Sequence, residues 1–209
     1  MDENRLYLLA LHFVPGVGNQ LIRQLISYCG SAEQVFNARH AQLLRIPGIG
    51  EVTARSIKSA VPIQMAEDEV RLADKCGASL LFYLDDQYPS RLKDVGDAPT
   101  LLYVRGTAAL NDARVVAIVG TRHATDYGKF CVEEIVSGLV PYGVTIVSGL
   151  AYGIDIHAHK MALSHGLRTH AVLGSGVDVI YPHVHRDTAV RMLGTGACSP
   201  KARWHQAGA

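Results

Sequence analysis

From Arg114 onward the chain alternates short β-branched runs with amphipathic stretches, and each run ends in a loop rich in small residues. RVVAIVG (114–120), VTIVSG (144–149) and THAVLG (169–174) read as strands. DYGKFCVEEIVSGLVPYG (126–143), DIHAHKMALSHG (155–166) and Val184 to about Leu193 read as helices, with Thr125 or Asp126 capping the first. Alternation with such short joints predicts an α/β fold with a Rossmann-like, doubly wound, mostly parallel sheet. The first run is continuously apolar, as expected of a strand buried on both faces.

In a sheet of this kind the ligand site lies beyond the carboxyl ends of the strands. Three loops meet there: GTRHAT (120–125), SGLAYGID (148–155) and GSGVDVIYP (174–182). Small residues let backbone N–H groups approach an anion, and helix N-termini add partial positive charge. The loops therefore predict a phosphate-sized cradle. The first one lacks the G-x-G-x-x-G of dinucleotide sites, no acid closes a strand about twenty residues later, and no G-x-x-x-x-G-K-[ST] occurs. Hydride transfer and P-loop chemistry are excluded, and no cofactor is expected.

Residues 1–61 carry a second pattern twice, FVPGVGNQLIRQLI (Phe13–Ile26) and RIPGIGEVTARSIKSA (Arg45–Ala60). Pro-Gly stops a helix, the glycines allow a tight turn, and Val52 or Ala54, Ile57 and Val61 follow at near-helical spacing. The pair resembles a small all-α tandem helix-hairpin-helix domain. Its turn amides could hold a DNA phosphate. Glu51 opposes that and Arg23 and Arg55 offset it only in part, so a structural or protein-contact role is favoured.

A second domain is expected over 62–193. It opens with a helix over 62–77, buried strands at 79–86 and 100–106, and a turn-rich link between the strands. Residues 62–106 hold eight acids against five Lys or Arg, a poor nucleic-acid face. Net charge is only +1, so any nucleic acid must be held by a local groove. With 48% hydrophobic and 19% charged residues the chain is an ordinary globular one. No apolar run approaches the ~20 residues of a membrane span and no basic n-region opens the chain, so a cytoplasmic location is expected. Cys29, Cys76, Cys131 and Cys198 lack C-x-x-C spacing and read as buried reduced thiols.

VAIVGTRHATDYG, VSGLAYGIDIHAH and VLGSGVDVIYP, in this order, resemble the signature of the DprA/Smf family of DNA-processing proteins. YPSRL, LLYVRG and the paired hairpins fit the same family, and the resemblance covers roughly residues 1–193. It implies single-stranded DNA binding, loading of RecA recombinase in natural transformation, a homodimer and no catalytic activity. It points to Gly120, Thr121 and Arg122 in the first loop, Ser148, Gly149 and Gly153 in the second, and Gly174, Gly176 and His183 in the third. Arg122 is the strongest of these, able to fork onto a phosphate and to stack on a base. Asp155 reads as a helix cap, Lys129 as a generic phosphate contact, and Tyr152 stands where many relatives carry Arg. His157 and His159 do not share a helix face, so no metal is expected.

GTGACSPKARWHQAGA (194–209) lacks hydrophobic periodicity and does not resemble the family's continuation. It reads as a non-family tail on a chain shortened at its C-terminus, with a sheet missing its last strands and one edge exposed. Two other readings compete. One is a nucleotide-processing enzyme on a related core, whose G-G-x-G-T-x-x-E pattern is not found here; the other is a nucleotide-sensing or protein-interaction module.

Overall fold

Pro15-Gly16 and Pro47-Gly48 break the N-terminal chain where the repeat predicts. In the computed structural model, which describes residues 2–107 and 109–194 and the backbone of Ala197–Ser199, α1 (Glu3–Leu11) turns through Gly16 into α2 (Asn19–Cys29). After α3 (Ala32–Asn37), capped by the Ser31 hydroxyl, α4 (His40–Leu43) turns through Gly48 into α5 (Glu51–Ile57). α6 (Val61–Cys76) follows. Leu9, Leu11, Ile22, Leu25, Leu43 and Ile57 are at most 1% exposed. Each such burial favours folding by about 1.5–3 kcal/mol. Of the spacing alternatives, Ala54 faces the core, whereas Val52 and Val61 are exposed.

The chain divides into two compact units. The helical unit runs to Asp74 and also takes in Ser90–Leu101, which holds the short α7 (Ser90–Lys93). Within it, Asn19 Oδ1 accepts from the Thr100 amide at 3.0 Å, and the Arg23 guanidinium donates to the Ala98 carbonyl at 3.0 Å.

The second unit is built on a six-stranded sheet with strands β1 (Ala78–Phe82), β2 (Leu101–Arg105), β3 (Val115–Ala117), β4 (Thr145–Ser148), β5 (Thr169–Val172) and β6 (Ala197–Ser199). The spatial order is β1-β2-β6-β5-β4-β3. β3 to β6 pair in parallel and β2 pairs antiparallel with β6, so the expected Rossmann-like, mostly parallel α/β sheet is present. The crossovers are α8 (Asp126–Leu139), α9 (Ile154–Ser164) and α10 (Arg186–Arg191). Because the parallel strands advance in one direction without reversing, right-handed crossovers put all three helices on one face.

Two expectations are overturned here. The edge beside β5 is not open: β6 fills it, with Val172 opposite Cys198 and, on the other side, Tyr103 opposite Ser199. A three-residue strand is too short for periodicity to reveal it. Among the described strands β1 and β3 end the sheet, and β3 is buried on one face only. Val116 and Ile118 pack against Val132 and Val136 of α8 and Ala158 and Ala162 of α9, while Val115 and Val119 are exposed. The remainder of the expected tail, residues 195–196 and 200–209, lies outside the described residues. Cys29, Cys76 and Cys131 are free thiols, as expected, but half-buried rather than buried.

At the strand starts, the buried Asp112 carboxylate ties three strands together. It accepts from Thr145 Oγ1 at 2.5 Å, pairs with Arg168 Nη1 at 2.8 Å and lies 3.6 Å from His170 Nε2.

Candidate functional site

The first two strand-end loops are locked onto each other. The Ile154 amide donates to the Thr121 carbonyl at 3.1 Å, and Gly153, at φ 78°, lies flush against Thr121 and Arg122. Gly120 is packed beneath Ile154, where a β-carbon would meet Cγ1 at 2.7 Å. The Thr121 hydroxyl accepts from the His123 amide at 3.1 Å, closing a local turn. Gly120, Thr121 and Gly153 thus shape the site from behind.

Two assignments change. Asp155 does not cap its helix: Gly153 is the N-cap of α9, and the buried Asp155 carboxylate accepts from the Gly149 amide at 3.2 Å. Ser148 does not face a ligand either. It is 3% exposed and its hydroxyl donates to the Ile118 carbonyl at 2.6 Å, bracing β4 against the end of the β3 segment. The Gly149 and Ile154 amides are therefore engaged internally, and a carboxylate already occupies the first turn of α9. Of the two caps the sequence offers for α8, Thr125 is the one used: its hydroxyl accepts from the Gly128 amide at 3.1 Å.

In front of these loops is a cleft of about 340 Å³ lined by Arg122, Gly149, Tyr152, Gly174, Ser175 and Tyr181, among others. That volume falls in the ~300–1,000 Å³ range of ligand clefts. Arg122 is exposed, and its guanidinium has no hydrogen-bond or ion-pair partner among the described residues. Gly174 has open space where a side chain would be. Of the sequence-derived residues, the cleft gathers Arg122, Gly149 and Gly174.

Others lie outside it. The Gly176 carbonyl accepts from the Val179 amide, shaping the third loop. His183 lines a neighbouring cavity of about 220 Å³ with Arg186 and Asp178. Lys129 is paired with Asp126 at 3.0 Å on the first turn of α8. Ser175 and Tyr181 also line the cleft; Tyr181 belongs to the Y-P ending of the third loop, whereas Ser175 is not singled out by the sequence.

Beneath the second loop lie buried histidines. His185 Nδ1–H donates to the Leu150 carbonyl at 2.8 Å, and its ring meets the Tyr152 ring edge-on, centroids 5.1 Å apart. His159 Nδ1 lies 2.6 Å from the Thr169 hydroxyl. Burial above all, with nearby His185 adding, lowers the His159 pKa from 6.5 to about 4, so the ring is neutral at physiological pH. His157 pairs with Glu133 at 3.0 Å. Among the described residues no group of three His, Cys, Asp or Glu side chains is placed to hold a metal ion.

Two cations of the hairpins are already engaged within the helical unit. Arg23 is engaged by the Ala98 carbonyl, and Glu51, on the first turn of α5, binds Arg55 at 3.0 Å and lies 3.4 Å from His40. No helix among the described residues is long and apolar enough to cross a membrane.

Comparison with known proteins fits this architecture. Residues 79–202 match the family model of DNA recombination-mediator protein A, and residues 8–61 that of a SAM-like helix-hairpin-helix tandem. The first match runs past residue 193, where the resemblance read from the sequence stopped, and takes in β6. Protein Smf of Synechocystis is 33% identical over 203 residues, covering 93% of this chain and 50% of the relative. DNA processing protein DprA of Streptococcus pneumoniae is 45% identical over 103 residues, 49% of this chain and 36% of the relative. The chain thus spans half or less of the length of these curated relatives. The crystal structure of pneumococcal DprA superposes with a TM-score of 0.67 at 27% identity, over 97% of this chain and 68% of that one. A Helicobacter pylori DprA structure, described as revealing a single-stranded DNA binding mode, gives 0.52 at 29% identity over 60% of this chain and 56% of that one. The chain belongs to the DNA recombination-mediator protein A family, the family of DprA and Smf proteins.

Proposed function

We propose that this chain binds single-stranded DNA in the cleft at the strand ends, with the Arg122 guanidinium on a backbone phosphate. The observation that carries this reading is Arg122 itself: a cation without a protein partner among the described residues, at the rim of a cleft where all three loops converge. A planar guanidinium suits a phosphate better than an ammonium because it forks onto two oxygens. The single-stranded DNA binding described for the Helicobacter relative supports the same ligand. The reading extends to the family role: a cytoplasmic homodimer, without catalysis or cofactor, that hands the strand to RecA recombinase during transformation. Behind the cleft, Ser148, Asp155 and His185 are each engaged by backbone, which supports a structural role for them.

Binding of a labelled oligonucleotide at several salt concentrations tests the proposal. The expected result is salt-dependent binding of the single strand, weakened by Arg122→Ala with the salt slope reduced by about one. Binding indifferent to Arg122→Ala overturns the site. Absence of binding by a chain of the relatives' full length overturns the function. RecA filament formation on coated single strands, with and without that longer protein, tests the handover.

A further inference from the structure

Much of the donor capacity that the loops offer an anion is spent inside the protein. The Gly149 amide goes to Asp155, the Ile154 amide to Thr121 and the Gly128 amide to Thr125. Asp155 places negative charge in the first turn of α9, where an anion would otherwise be favoured. Among the described residues lining the cleft, Arg122 is the one cation. A single phosphate contact gives weak binding that salt removes readily. The remaining groups with large contact area are two tyrosines on the rim, Tyr152 at 47% and Tyr181 at 69% exposure.

Tyr152 is the better prepared of the two. Its ring is held edge-on by His185 at an interplanar angle of 69°, and His185 is itself buried and fixed to the Leu150 carbonyl. Leu150, two residues before Tyr152, is 1% exposed and holds φ 58° without being glycine. Such a backbone persists only where the surrounding packing enforces it. The loop is thus set before any ligand arrives, and the ring loses little freedom on binding.

We infer that Tyr152 is a base-stacking platform: the cleft holds one phosphate at Arg122 and stacks an unpaired base on the Tyr152 ring, with Tyr181 on the same rim. The inference rests on the cleft being the single-stranded DNA site. Stacking tolerates any base, because every base has a π-face, and it requires that the base be free of a duplex. Tyr152 is therefore the residue that makes the cleft choose an unpaired strand over a duplex with the same phosphates.

The experiment compares two labelled oligonucleotides of equal length, oligo-dT and one with a run of abasic sites, binding to the full chain by fluorescence anisotropy at fixed salt. The wild-type protein is expected to favour oligo-dT by about tenfold. Tyr152→Ala should bring oligo-dT down to the abasic level while leaving the abasic affinity and the salt slope unchanged, and Tyr152→Phe should retain the preference. Arg122→Ala should weaken both oligonucleotides alike. Equal wild-type affinity for both, or an equal loss on both in Tyr152→Ala, overturns the stacking role while leaving the DNA site standing. Failure of the wild type to bind either oligonucleotide overturns the reading of the site, and the inference with it.

Discussion

A β-carbon on Gly153 would lie 2.1 Å from the carbonyl oxygen of Thr121, well inside contact distance of a backbone atom that cannot swing away. The second loop is therefore seated on the first at a spot where only hydrogen fits. Gly153→Ala adds a methyl clash to the strain of φ 78°. It should destabilise the sheet unit by about 3 kcal/mol or more. Gly174→Ala, with open space at its β-carbon, should change stability by less than about 0.5 kcal/mol. Denaturant unfolding of the two variants checks the contrast. Equal loss in both would count against the interlock.

Asp155 holds the second loop through the Gly149 amide. Asp155→Ala leaves that amide without its acceptor and should destabilise by about 1–3 kcal/mol. Asp155→Asn keeps a carbonyl oxygen in place and should fall by less. Amide hydrogen exchange at Gly149 reads the bond directly: protection should drop in the alanine variant and survive in the asparagine one.

Acid should weaken both units. Burial lowers His12 and His159 from 6.5 to about 4. As pH falls below about 6.5 the unfolded chain takes up protons at these imidazoles and the native protein does not. Their stabilisation is thus complete above 6.5 and lost on the way down to about 4. For His159, wholly buried, the loss amounts to about 3 kcal/mol. Urea midpoints should fall between about pH 7 and pH 4.5, and His159→Asn should flatten that fall in the sheet unit. A slope unchanged by the substitution would show that other groups carry it.

The hairpin arginines should matter to folding rather than to DNA. Arg23→Ala removes a part-buried hydrogen bond to the Ala98 carbonyl and should destabilise the helical unit by about 1–2 kcal/mol. Arg55, exposed and paired on its own helix with Glu51, should contribute under about 0.5 kcal/mol. Oligonucleotide affinity should be unchanged in both. A tenfold loss in either would restore the hairpins as a binding surface.

What could be read from the chain alone was what is local in it. The Thr125 cap depends on four consecutive residues, and the hairpin turns on Pro-Gly-x-Gly; both stand where the pattern put them. The partners of Ser148 and Asp155 were not legible, because a hydroxyl or carboxylate in a loop looks the same whether it faces solvent or another backbone. Ile118 is thirty residues from Ser148, and only the folded sheet brings its carbonyl within reach. β3 was misread for a related reason: a continuous apolar run signals burial, but whether a strand is central or outermost depends on the order of all six. Arg122 was legible by its loop, while the ring contact that fixes Tyr152 depends on His185, which lies beyond the next strand.

The Asp112 cluster joins Thr145, Arg168 and His170 at the entry to the strands, and the cleft is at their exit. The sheet unit is thus tied at both ends, by the Asp112 cluster at the strand entry and by the Gly153–Thr121 and Ser148–Ile118 contacts behind the cleft. Exchange of residues around the cleft, such as a tyrosine for a cation at position 152, leaves the ties at the far end untouched. At the DNA site proposed above, residues that meet the strand can thus change without disturbing the Asp112 ties at the far end of the sheet.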